Sequence, residues 1–206
     1  MIRLDRKKLR QELANWQVKL AKYDGWPEYE AIGRLLHWLG EPGAPAYFRH
    51  AAAAYLAGDS SGHALLTAGN WYRLAADMHP AQALWDQAYA KLVPGADRGS
   101  ESDLQRLIAC CFFLGKYPEL EARAQHLAIQ RPSFDVRAFT IARLARAQQD
   151  QSPPEALAIA QHFADRIRVN RTKIANTGSI SLWDWYEIAL RLAKALGAVV
   201  PEEALP

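Results

Sequence analysis

The sequence predicts an all-α protein of about ten helices stacked as antiparallel hairpins, and three observations predict it. Apolar side chains recur at steps of three and four through most of the chain, the period of a helix with one buried stripe. Leu and Ala dominate the apolar set while β-branched residues are sparse, a bias that lowers the side-chain entropy cost of helix. Gly and Pro punctuate the pattern so as to leave helices of roughly 12–18 residues and connections of roughly 2–8. Such lengths suit stacked pairs better than one long-helix bundle.

The N-terminal helices are expected within residues 4–40. The segment LDRKKLRQELANWQVKLAKY (4–23) sets Leu9, Leu13, Trp16 and Leu20 on one stripe, and Gly25 and Pro27 break it. Pro27 then stands at the start of PEYEAIGRLLHWLG, where its missing N–H is harmless. Helices follow over 44–59, 61–77 and 79–92. Pro94, Gly95, Gly99 and Ser100 predict a loop of about seven residues before the next helix at 100–116. Ser100 followed by Asp103 makes an imperfect capping box, because Asp stands in for Glu. Helices over 117–132, 133–149 and 152–169 complete the middle of the chain, and 170–181 reads as a loop. A last helix over 182–197 is expected to cap one end of the stack, and residues 201–206 form a tail. Together these make one domain over 1–200.

At 206 residues, 50% hydrophobic and 23% charged, the chain can bury a sizeable core and is unlike a disordered polymer. The formal charge of +3 does not by itself imply nucleic acid. Its distribution is uneven, however: basic side chains crowd residues 1–22, and Arg166, Arg168, Arg171 and Lys173 form a second group. These read either as ordinary solvated helix faces or as a patch for an anionic partner. Cys110 and Cys111 are adjacent inside LIACCFF, too poorly oriented to pair, and free buried thiols fit a reducing compartment. No signal peptide is evident after the charges of IRLDRKKLRQEL, and no apolar run approaches a membrane span. A cytoplasmic protein is therefore expected, with no membrane contact.

The segment AGNWYRLAADMHPAQALWDQAYAKLVP resembles a tetratricopeptide repeat, in which small and large side chains alternate across a helical pair. Gly69 takes the small position of the first helix and Tyr72 the bulky one. Ala76 sits at the turn where the family has glycine, Ala81, Trp85 and Ala88 follow the small–aromatic–small series, and Pro94 closes the unit one residue late. A weaker copy has Gly115 at the turn, Ala124, Leu127 and Pro132. Another has Ala156, Ala160 and Phe163, and the weakest has Gly58 at a turn. The resemblance covers residues 44–169 and implies a tetratricopeptide-like α-solenoid, without naming a function. The chain is also similar in general texture to the small all-helical immunity proteins of bacterial polymorphic toxin systems, which neutralise a partner enzyme. That likeness implies a bacterial source and a toxin as partner.

The repeat register implies which side chains line the concave groove. His63, Asn70 and Arg73 fall on the exposed side of the leading helix, and Gln105 and Phe112 take similar places in the next copy. Asn70 and Arg73 could clamp a peptide backbone or a carboxylate, Arg supplying a rigid fork. Leu66 stands where peptide-binding members carry a lysine, so their full basic clamp is absent. Trp183 and Trp185 could pack the core or anchor a partner as exposed aromatics.

Catalytic and metal-binding patterns are not found. His37, His50 and His63 are equally spaced but lie on three different predicted helices, and no HExxH or Cys/His cluster occurs. Glu28 with Glu30, and Glu119 with Glu121, stand two apart, which spreads them around a helix rather than pairing them. No metal, cofactor or catalytic residue is expected. The expected work is non-catalytic binding of a protein or peptide; a homo-oligomeric scaffold, a homodimer at its simplest, is the alternative. Nucleic acid is not an expected partner, and an enzyme would need convergent polar groups that the sequence does not display.

Overall fold

The computed structural model describes residues 1–130, 136–175 and 180–206. Among them are ten α-helices, one short 3-10 turn at Glu202–Ala204, and no strand. The helices are α1 (Arg6–Tyr23), α2 (Trp26–Leu39), α3 (Ala44–Gly58), α4 (Gly62–Leu74), α5 (Met78–Asp97), α6 (Glu101–Phe113), α7 (Tyr117–Gln130), α8 (Val136–Gln149), α9 (Pro153–Asn170) and α10 (Leu182–Ala195). Each packs on its neighbours in sequence, and α6 also touches α4 and α8. This is the stacked antiparallel hairpin fold that the periodicity predicts. Hairpins α2–α3, α4–α5, α6–α7 and α8–α9 succeed one another, with α4, α6 and α8 sharing a layer.

Local chemistry accounts for most helix ends. Asp5 accepts from the Lys8 backbone N–H at 3.0 Å and Ser61 from that of Ala64 at 3.2 Å, each satisfying a donor that the first turn leaves open. Pro27 occupies the first turn of α2 and Pro153 that of α9. Between α6 and α7, Gly115 takes a left-handed φ of 68° without cost. The equivalent turn between α4 and α5 places Ala76 at φ 62°, where a Cβ is strained.

The expected break at Pro94 is not there. Helix α5 runs through Pro94 and Gly95 to Asp97, and the connection to α6 shrinks to residues 98–100. Pro94 interrupts only the final turn, where one lost backbone bond does not end the helix. Gly95 is tolerated for a tertiary reason: a Cβ there would lie 2.0 Å from Asp103 Oδ2 on α6. Pro132, the other closing proline of the repeat pattern, lies outside the described residues, as do the four positions 176–179 of the predicted loop 170–181.

Inside the best repeat, size complementarity is direct. A Cβ on Gly69 would meet the indole of Trp85 at 2.5 Å, so α4 and α5 approach as closely as they do because one side chain is missing. Ala81 and Ala88 are fully buried beside Trp85. Trp85 also stacks on Phe113 of the following hairpin, with ring centroids 4.5 Å apart. The adjacent cysteines are buried and free. Burial pushes the Cys110 thiol far up and Cys111 up to about 12, which leaves both as unreactive thiols at neutral pH.

Helix α10 has a wider set of neighbours than an end cap. It packs on α9, while Trp183 meets Trp38 of α2 at 5.1 Å and Trp185 meets Phe112 of α6 at 5.3 Å. From Leu182 to Leu190 every residue except Ile188 is buried. A helix covered nearly all round is a core helix, and α10 brings together elements from both halves of the row.

Candidate functional site

Two features rise above ordinary packing. One is an open cleft where α4, α6 and α8 meet the start of α10. The other is a buried charged cluster joining α2 to α10.

The cleft encloses about 210 Å³. Its polar lining is His63 and Thr67 from α4, Ser102, Gln105 and Arg106 from α6, and Arg137 from α8. Leu66, Ala109, Ile141, Ile180 and Trp185 supply apolar wall. Successive leading helices of the hairpins thus contribute to one concavity. Gln105 Nε2 approaches Glu101 Oε1 at 3.5 Å, and Arg106 Nη1 donates to Asp103 Oδ1 at 3.4 Å, so the polar rim is held from beneath by acids of the first turn of α6.

The residues expected in the groove divide. His63 and Gln105 line this cleft, and Trp185 contributes to its wall. Asn70, expected on the exposed side, is fully buried, and its Oδ1 accepts from Arg73 Nε at 3.0 Å. Phe112 is 8% exposed and covered by Trp185. Trp183 and Trp185 expose 5% and 1% of their surface, so both serve packing. For Phe112 the cause is helix α10, whose Trp185 ring packs edge-on against it.

In the buried cluster, Arg34 of α2 donates from Nε to Glu30 Oε1 at 2.7 Å and from Nη1 to Asp184 Oδ1 at 2.8 Å. The other Asp184 oxygen accepts from the Ser181 backbone N–H at 2.6 Å, while Ser181 Oγ receives the Asp184 N–H, completing a capping box on α10. One turn on, Glu187 lies 3.0 Å from His37 Nε2 and accepts from Arg191 Nε at 2.7 Å. Glu30, Arg34, Asp184 and Glu187 expose 2% or less. Burial alone would raise the Asp184 carboxyl, but Arg34 outweighs it and holds the group below the usual range. Burial likewise opposes ionisation of Glu187; the hydrogen bond and charge of His37, with Arg73 and Arg191, bring it down to about 2. Arg73 has the opposite balance. Burial lowers its pKa more than the distant Glu187 and Asp184 raise it, and its Nη2 and Asn70 Nδ2 are buried with no hydrogen-bond partner among the described residues.

This cluster is a structural clasp in its geometry. Its carboxylates are held by arginines and hydrogen bonds, and Glu30, Arg34, Asp184 and Glu187 are closed to solvent, while His37 and Arg191 stand at its edge. The sequence carries faint signs of it: Glu30–Arg34 and Glu187–Arg191 at i,i+4, and Ser181–Asp184 at capping spacing. Such pairs read as surface features until α2 and α10 are seen together. Among the described residues, no group of three or more His, Cys, Asp or Glu could hold a metal ion.

The basic group near the C-terminal end also divides. Arg166 and Arg168 are exposed, and Arg168 is engaged by Asp165 at 2.8 Å and by the Met1 carbonyl at 2.5 Å. Arg171 and Lys173 instead face the N-terminal helix across a second cleft, of about 850 Å³.

No family model, no curated protein and no solved structure matches the chain. No helix among the described residues is long and apolar enough to cross a membrane. The fold is that of an all-helical hairpin stack of the helical-repeat kind, an architecture consistent with protein interaction.

Proposed function

We propose that the chain is a non-catalytic, tetratricopeptide-like module that binds a protein partner through the α4–α6–α8 cleft. The observation that carries this reading is the size and lining of the cleft. Small-molecule sites commonly enclose about 300–1,000 Å³, whereas this one holds about 210 Å³ and mixes an apolar wall with His63, Gln105, Arg106 and Arg137. That is space for one large anchor side chain of a docked protein, with arginines at the rim to meet backbone carbonyls or carboxylates. A partner that is itself an enzyme, silenced by stoichiometric binding, is the form of this function that the immunity-protein likeness implies.

The test uses the full chain as bait, beside an Arg106→Glu/Gln105→Ala variant and an Arg10→Glu control on α1. A partner retained at equal stoichiometry by the wild type and the control, and lost by the cleft variant, is the expected result. A chain that recovers only itself, through the same cleft, would establish the self-assembling scaffold instead. If the captured partner is an enzyme, its activity is measured against added chain and should stop at one equivalent.

A further inference from the structure

Basic residues that stand far apart in sequence converge on a single concavity. Along α1, Lys8, Glu12, Trp16 and Lys19 recur at steps of four, four and three, and so mark one face of that helix. The cleft runs along this face over about three helical turns, roughly 16 Å. Opposite it lies the segment after α9, with Arg171 and Lys173, and the segment leading into α1 adds Arg3. Among the described residues, five cations thus surround the cleft against two acids, Asp5 and Glu12. Asp5 is already committed to capping α1 through the Lys8 N–H.

Between these walls the half-buried Ile2, Leu4 and Trp16 supply the open apolar surface, with Leu9, Ile174 and Trp183 nearly buried beneath it and Gln11, Asn15 and Thr172 beside it. Lys19 Nζ sits 3.9 Å from the Trp16 ring centre. The segment before α1 and the segment after α9 are each tied to α10, since the Ile2 N–H donates to Tyr186 Oη at 3.0 Å and Trp183 Nε1 donates to the Thr172 carbonyl at 3.0 Å.

We propose that this cleft is a second docking site, distinct from the α4–α6–α8 cleft, and that it takes an acidic amphipathic helix of a partner protein. Charge complementarity decides the occupant. An apolar stripe of about three turns would fill the lining, and Asp or Glu flanking the stripe would meet Lys8 and Lys19 on one side and Arg171 and Lys173 on the other. A phosphate backbone is a worse fit, because it would offer nothing to the half-buried apolar side chains Ile2, Leu4 and Trp16. A flat bilayer cannot enter a concavity between two walls.

The probe is a labelled synthetic helix of about three turns with a leucine stripe flanked by glutamates, titrated into the full chain. Saturable binding is expected, weakened at least about tenfold by Lys8→Glu/Lys19→Glu and by raising salt from about 0.05 to about 0.5 M. Lys173→Glu, on the opposite wall, should weaken it as well. Arg10→Glu, on α1 but outside the cleft, and Arg106→Glu, in the other cleft, should leave it unchanged. No binding, equal binding by the charge-reversed variants, or equal binding of a peptide with glutamine for glutamate overturns the proposal. So does stronger binding to phosphatidylserine vesicles or duplex DNA than to the peptide. Because Arg106→Glu tests the first cleft separately, either site can fail alone.

Discussion

The α4–α5 hairpin and the α2–α10 contact are both buried, yet they are built from opposite materials. In the hairpin, helices adjacent in sequence meet through missing and present carbon: Gly69 against Trp85, with Ala81 and Ala88 alongside. At the α2–α10 contact, helices some 150 residues apart meet through Arg34, Glu30, Asp184 and Glu187. A short turn already restricts how a hairpin can close, so shape alone selects its register. A distant pair has no such restriction. A cation held between two carboxylates is satisfied in one arrangement and strongly penalised in others.

The largest effect expected from breaking this contrast is at Arg34. Arg34→Met strands Glu30 and Asp184 without their cation in the interior, and should cost about 3–5 kcal/mol in urea unfolding. A loss below about 1 kcal/mol would mean that the clasp contributes little to stability. Acid should attack the same region next. The Glu187 carboxyl is depressed in the folded chain, to about 2 from 4.5, so its contribution is complete above the unfolded value and disappears as pH falls through 4.5 towards 2. That contribution is on the order of 3 kcal/mol. Glu187→Gln should flatten the acid limb of a pH–stability curve, and an unchanged limb would show that other carboxylates dominate it.

The hairpin should respond to volume. Gly69→Ala places a methyl against a buried indole and should cost about 1–3 kcal/mol at any pH. A pH-dependent loss would contradict the assignment of the two regions to different physics. The smallest effect belongs to the turns. Ala76→Gly should stabilise by roughly 0.5–1 kcal/mol, and Gly115→Ala should destabilise by a similar or larger amount, because both positions take positive φ. Thermal melts of the pair measure the difference directly.

The candidate sites were legible in part. His63 and Gln105 could be placed from the repeat register, because periodicity fixes which face of a helix a residue occupies. Asn70 and Phe112 are buried instead, Phe112 beneath Trp185 of α10, and no local pattern says what lies on a face. Arg106 and Arg137 carry no such signal, because an arginine on an amphipathic helix looks alike in sequence whether it rims a cleft or meets bulk solvent. The convergence of Lys8 and Lys19 with Arg171 and Lys173 is a juxtaposition across most of the chain, invisible to spacing.

The sequence by itself determined the helices, their hairpin pairing and the tight α4–α5 fit, since period, caps and small–large alternation all act within a few tens of residues. Only the tertiary structure decided that Pro94 stays within a helix, that α10 packs on α9 while touching α2 and α6, and that Glu30, Arg34, Asp184 and Glu187 form one buried cluster. Those outcomes depend on which surfaces meet after the chain has curled. That is set by burial and charge between residues far apart, which leaves no local periodicity in the sequence.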